Sequence, residues 1–301
     1  MAKYYATISG LPNIGVDDRK IPFSSDFFFE DLKHELTTAD KKLFLEIRWE
    51  EENHFLIDFL VDSEAAREAE EQPTLFSYDE LELVLVALKK KERLPKNSLP
   101  PYFIPFLKEF IVEREEDEEP LSEEEMRIWP TRLEDKLADF YFSYVLKSKN
   151  DFVSDWSRFN LDIRNVFATF TSRKLGWDPK EYIVGNTEIE QKLRASSLPH
   201  LGVSEDDISY INTLVSIQNE SDITRRERMI DVLKWNWLEE KTFDLVFDIE
   251  SLLAYYLRLR IIERWTELNE KTGEETFRSI VATLKKESNT SLNEFKKNQK
   301  K

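Results

Sequence analysis

The chain has no cysteine, 6 glycines and 3 histidines among 301 residues, and no apolar run longer than six residues. Each scarcity removes a class of protein. Without cysteine there is no disulfide framework and no thiolate nucleophile, which suits a reducing compartment. A glycine share far below the usual value of about 7% leaves few tight turns, which argues against a many-stranded β architecture and for helices. A membrane span needs about 20 mainly apolar residues. The two longest apolar runs, Leu83–Leu88 and Leu252–Leu257, have six each. The second is followed by Arg258, Arg260 and Arg264, three charges that would be costly in the bilayer. The start "MAKYYATISG" lacks the apolar core of a signal peptide, so a cytoplasmic location without a direct membrane span is expected.

Charge is abundant and of one sign. Sixty acidic residues against 43 basic ones give a net charge of −17. Such a chain is repelled by nucleic acid and by anionic lipid, so no nucleic-acid partner is expected. Positive charge gathers only in the tail "FKKNQKK", which reads as a solvated terminus. The charged fraction of 34% with 13% aromatics fits helices with salted outer faces and bulky inner ones.

Hydrophobic periodicity and helix punctuation predict about a dozen helices and almost no sheet, hence an all-α class. "KYYATISGLPNIG" reads as a short strand or an extended arm. "FFFEDLKHEL" follows Ser24 or Ser25 as N-cap, and "TTADKKLFLEIRWEEENHFLIDFLV" reads as one bent helix or two. Ser77 and Glu80 open "SYDELELVLVALKKKE" with a capping-box pattern. "RLPKNSLPP" is the clearest linker, because its prolines disfavour helix before them. A long helix from about 122 to 149 carries Pro130, and "DFVSDWSRFNLDIRNVFATFTSRKLGW" is helical with Gly176 as its stop. Two longer helices run over about 224–240 and 243–269, Gly273 breaks the second, and "EETFRSIVATLKKE" closes the ordered part. The expected organisation is one all-helical chain, 1–301, with sub-bundles at 1–92, 101–200 and 204–287 and a basic tail at 288–301. A faint echo pairs Trp49, Asn53, Leu56, Phe59 and Leu60 with Trp156, Asn160, Ile163, Val166 and Phe167, as helical repeats would.

Little catalytic chemistry is on offer. The Walker phosphate cradle and the dinucleotide glycine fingerprint are both absent from the sequence. His34, His54 and His200 sit in different segments. Glu30 and His34 stand four apart, half of a metal site at most and more simply a surface pair. Asn212, Ser216 and Glu220, at four-residue steps, resemble the magnesium triad of class I terpene synthases, which are all-α. That reading also needs an aspartate-rich motif, for which "EEDEE" at 115–119 is the candidate, within an acidic stretch (113–125) that reads as a solvated loop.

From Asp162 a different resemblance begins. "FNLDIRNVFATFTSRKLGW" resembles the Asp-x-x-Asn-aliphatic helix of the C/d-type central-stalk socket of V-type and archaeal A-type ATPases, with Asp162 and Asn165 at the polar positions, then Arg173, Lys174 and Gly176. "FDIESLLAYYLRLRIIERW" resembles the last repeat of that family, contributing Glu250, Arg258, Arg264 and Trp265. The whole chain is similar to bacterial proteins encoded with V-type ATPases, through Tyr4, Tyr5, Gly10 to Pro12, Trp235 and Trp237. The resemblance implies a funnel-like bundle of up to three pseudo-repeats, although the last repeat lacks a clear Asp-x-x-Asn. It implies no catalytic residue, cofactor or metal. Its implied role is a non-catalytic, cytoplasmic component or accessory factor of the ATPase, peripheral to the inner membrane, linking the central stalk to the rotor ring in ion transport. An unrelated helical scaffold is the remaining alternative. The packed look of 247–265 agrees: a helix apolar on most faces is buried by several neighbours, and its arginines pair with carboxylates or reach an edge.

Overall fold

In the computed structural model of the protein the described residues are 4–116, 123–197, 201–245, 247–266 and 268, with 113–116 and 123–128 described by backbone alone. The first helices are α1 (Tyr5–Ser9), α2 (Ser25–Leu32), α3 (Thr38–Glu51), α4 (Asn53–Val61), α5 (Ser63–Glu68) and α6 (Tyr78–Lys89). Then come α7 (Phe103–Glu116), α8 (Glu123–Val145), α9 (Asp151–Leu175), a 3-10 turn η1 (Pro179–Glu181), α10 (Glu188–Ala195), α11 (Ile211–Gln218) and α12 (Ile223–Thr242). A last helix, α13, covers 249–266. No strand occurs among the described residues, and the class is all-α. Gly273, "EETFRSIVATLKKE", the tail at 288–301 and His200 lie outside the described residues, as do the side chains of the acidic stretch.

Two compact units divide the chain: one contains 1–36 and 227–301, the other 37–226. Neither boundary falls at the proline-rich segment 92–101. Those prolines sit within the second unit, where Glu80 accepts hydrogen bonds from Ser98 N (2.5 Å) and Ser98 Oγ (2.6 Å) and so ties the 93–101 segment to α6. The same contact uses up Glu80, so Ser77 caps α6 by accepting from Glu80 N at 3.2 Å while the reciprocal half of the expected capping box is diverted.

The core of 37–226 is aromatic. Phe44, Phe103, Phe106, Tyr141 and Phe142 are buried between α3, α7 and α8, and the long α9 packs on α3, α8, α10 and α11. Two buried tyrosine hydroxyls are satisfied: Tyr102 donates to Asn53 Oδ1 at 2.5 Å, and Tyr141 to the Glu46 carbonyl at 3.2 Å. The segment predicted as one bent helix or two is two. The chain breaks at Glu52, whose buried carboxylate accepts from Thr74 N and Leu75 N, both at 2.9 Å, and closes the 74–75 turn. That break separates Trp49 from Asn53, whereas Trp156 and Asn160 lie in one uninterrupted helix. The two echoed segments are therefore built differently.

In the other unit the expected strand or arm at the start is the short helix α1. Tyr4 N bonds the Phe247 carbonyl at 3.4 Å, Tyr5 lies 4.7 Å from the Phe247 ring, and Thr7 donates to Glu35 at 2.6 Å. These tertiary contacts override a weak local alternation. Ser24 caps α2 by accepting from Phe27 N, and Ser25 Oγ donates to Glu263 of α13 at 2.5 Å. Within α13, Leu252, Leu253, Tyr256, Leu259 and Ile262 are all fully buried, which makes it a packed helix on most faces.

Candidate functional site

Along α9 runs a seam of buried polar side chains, Asp162, Asn165, Thr169 and Ser172, at steps of three and four that place them on one helix face. The helix forms because Asn150 caps it, accepting from Val153 N at 3.1 Å, and Gly176 ends it with φ 73. Two members of the seam bond within α9: Thr169 donates to the Asn165 carbonyl (2.8 Å) and Ser172 to that of Ala168 (2.7 Å). The other two reach outward. Asn165 accepts from Val184 N at 2.9 Å and donates to the Val184 carbonyl at 2.8 Å, so one carboxamide satisfies both backbone groups of a buried residue. Asp162 Oδ2 accepts from the Tyr210 hydroxyl at 2.8 Å.

A second carboxylate joins this one. Glu190 is fully buried, takes an ion pair from Arg158 at 2.8 Å, and accepts from Thr187 N at 2.6 Å and the Thr187 hydroxyl. Arg158 also stands 3.8 Å from Asp162. Burial pushes the Asp162 carboxyl up to about 6, against the pull of Tyr210 and Arg158 and with Glu190 adding to the rise. Burial and the Asp162 charge raise Tyr210 in turn. Neither Glu190 nor Tyr210 was singled out from the sequence. Thr187-x-x-Glu190 does carry the capping-box signature, whereas nothing local marks Tyr210 as a partner 48 positions from Asp162.

The remaining sequence-predicted residues gather in the unit formed by 1–36 and 227–301. Arg264 donates to Asp231 at 3.1 Å and to Glu227 at 2.7 Å, and Trp265 Nε1 donates to the same Asp231 at 2.7 Å. Arg228 and Arg264 both lie over the Trp265 ring, at 5.3 and 5.8 Å. Arg258 lies over Trp235 at 5.5 Å and donates to Thr242 Oγ1 at 3.3 Å, while its buried Nε has no hydrogen-bond partner. Burial lowers its pKa, with Glu239 opposing. Glu239 itself accepts from Trp235 Nε1 at 3.0 Å. Glu250 is half-buried in the first turn of α13. Of the arginines expected to pair with carboxylates or reach an edge, Arg264 pairs with carboxylates and Arg258 lies on an aromatic face.

Two metal readings meet corrections. Asn212 and Ser216 lie on α11, but that helix ends at Gln218 with Asn219 as its C-cap, so Glu220 is not on the shared face. Glu220 instead pairs with Arg225 at 3.2 Å and accepts from Asp222 N at 3.1 Å, while Asn212 donates to Glu205. Asp222 starts α12 by accepting from Arg225 N at 2.8 Å, which is why α11 cannot continue. Likewise α2 ends at Leu32, so Glu30 and His34 do not share a helix face, and Glu30 pairs with Lys33. Among the described residues no group of three or more His, Cys, Asp or Glu is placed to hold a metal ion.

A cleft of about 460 Å³ lies beside the seam, between α8 and 181–186. Its polar walls are engaged internally: Arg194 donates to the Ile183 and Gly185 carbonyls, both at 2.6 Å, and Asp139 accepts from Gly185 N at 2.9 Å. Much of the polar chemistry of both clusters fastens a helix to a neighbouring segment. Fold and site together define an all-helical protein whose distinctive polar residues fasten its segments to one another. The chain belongs to the family described as "Protein of unknown function (DUF2764)", whose profile matches residues 1–288. No curated protein and no solved structure matches it. No helix among the described residues is long and apolar enough to cross a membrane.

Proposed function

We propose that the protein is a non-catalytic component or accessory factor of a V/A-type rotary ATPase, on the cytoplasmic side, linking the central stalk to the membrane rotor ring. The observation that carries this reading is the role of the two polar positions in the resembling helix. Asp162 and Asn165 are buried and fasten α9 to neighbouring segments, and Gly176 stops the helix after Arg173 and Lys174. A resemblance made of packing positions is informative when those positions do packing work, because the same residues then imply the same local build. Arg264 and Trp265, from the second resembling stretch, likewise meet on Asp231. In this reading the work is mechanical, and a helical body fastened by buried ionic and amide contacts suits the transmission of torque. Its attachment is to other proteins of the complex, since a body of net charge −17 is repelled by anionic lipid.

The test is affinity purification of the tagged protein from native membranes in mild detergent. Rotor-ring and central-stalk proteins are expected in stoichiometric amounts. Recovery of the protein alone, or with soluble partners only, would overturn the reading.

A further inference from the structure

Where α9, α10 and the start of α11 meet, two carboxylates share one cation out of water. Asp162 is 3% exposed and Glu190 is 0% exposed. Arg158 is bonded to Glu190 and lies farther from Asp162, at 2.8 against 3.8 Å. Of the Asp162 oxygens, Oδ2 holds the Tyr210 hydroxyl and the buried Oδ1 has no hydrogen-bond partner. With both carboxylates ionised the cluster carries one uncompensated negative charge, and one proton removes it. Unpaired buried charge is among the most expensive features a fold can hold.

Among the described residues the surroundings do not supply a second cation. Arg164, the next arginine on α9, is taken by Asp135 of α8. Lys192 of α10 is turned to Asp207 and Glu188. Glu46 of α3 is bonded by Ser148 at 2.7 Å, and the segment after η1 meets the seam through Val184 backbone groups on Asn165. What does face Asp162 is Arg158 from its own helix, Glu190 from α10 and Tyr210 from the start of α11.

We propose that this cluster is a proton-operated latch, in which a proton on Asp162 sets how firmly Tyr210, and with it α11, is held against α9. Tyr210 is the residue through which the latch acts. Its ring packs on Phe159 at 4.8 Å edge-on, and it is the residue on which α11 begins. The proton comes from solvent past the partly exposed Arg158 and rests on Oδ1, while Tyr210 donates to Oδ2 in either state. A hydrogen bond to the charged form would favour ionisation, but burial outweighs it, since the Asp162 carboxyl stands at about 6 rather than below its ordinary value. A raised folded value means that the contact is fully held below the released value of about 4 and weakens as pH rises through about 6.

The test is hydrogen–deuterium exchange of the full chain across that range, followed at amides 208–218 and corrected for intrinsic exchange. Linkage between about 6 when closed and about 3.9 when released predicts roughly tenfold easier opening at about pH 7.5 than at about pH 5. In Asp162→Asn, a neutral isostere, the profile is expected to be flat. A flat wild-type profile, or an equal rise in the variant, overturns the latch. Should the variant not fold, carboxyl-carbon NMR of the wild type decides: an Asp162 midpoint near 6 supports the proposal and one near 4 overturns it.

Discussion

At Asn165 a single carboxamide meets both backbone groups of Val184, a buried residue 19 positions away. Only a side chain with a donor and an acceptor on the same carbon does this. Asn165→Ala leaves a buried N–H and a buried C=O without partners, each costing about 1–3 kcal/mol. We therefore expect a loss of about 3 kcal/mol in urea unfolding. Asn165→Asp should lose at least as much, because its carboxylate still accepts from Val184 N but opposes the Val184 carbonyl. A loss within about 0.5 kcal/mol for the alanine variant, the usual range for surface changes, would show that the clamp is not needed. The clamp also shows what sequence reveals at this scale. Asp162 and Asn165 were legible as a pair through the resemblance to an Asp-x-x-Asn helix, a pattern held within four consecutive residues. Val184 and Tyr210 were not, because a partner brought in by tertiary folding leaves no local trace.

Elements were most legible where local chemistry decides them. Ser24, Ser77 and Gly176 mark helix ends as their types predict, and the six-residue apolar run of α13 is buried as its pattern requires. Local signals failed where a tertiary contact competes, as at α1, held by Phe247 and Glu35, and at Glu80, diverted to Ser98. Helix ends two residues short of a proposed face, as at α2 and α11, removed both candidate metal geometries. Two glycines allow a controlled comparison of local and tertiary demands. Gly176, at φ 73, has open space where a Cβ would sit. Gly202, at φ 76, would place a Cβ 2.7 Å from the Lys192 carbonyl and 2.9 Å from Ser196 Cβ. Gly176→Ala should therefore cost only the left-handed backbone term of about 1–2 kcal/mol. Gly202→Ala carries the same term plus a collision with the end of α10, and should lose at least about 2 kcal/mol more by thermal or urea unfolding. Equal losses would mean that Lys192 and Ser196 yield freely to a Cβ at 202.

For the whole molecule, the division of the chain matters more than its helix count. The unit 37–226 is continuous in sequence, and its aromatic core comes from α3 to α9. The other unit is assembled from both ends of the chain. Tyr255 of α13 packs on Phe23 (6.3 Å) and Phe28 (5.3 Å) and donates to the Pro12 carbonyl at 3.0 Å, while Glu263 holds Ser25 from 238 positions away. Contacts of that sequence separation close only after a large loss of chain entropy, so they form late unless the intervening segment folds first. A fragment of residues 37–226 should therefore be helical by circular dichroism and unfold in urea in one cooperative transition. Residues 227–301 alone lack the partners that 1–36 gives α13, Pro12, Phe23, Ser25 and Phe28, and should show little cooperative unfolding. Adding 1–36 in trans should restore helicity and protect the Tyr255 and Tyr256 amides from exchange. If 37–226 melts gradually, or if 227–301 is cooperative without 1–36, the two units are not the folding units of this chain. If both halves of the expectation hold, the polar seam of α9 and the arginine–tryptophan cluster belong to separately folding bodies, and variants in one should leave the urea transition of the other unmoved.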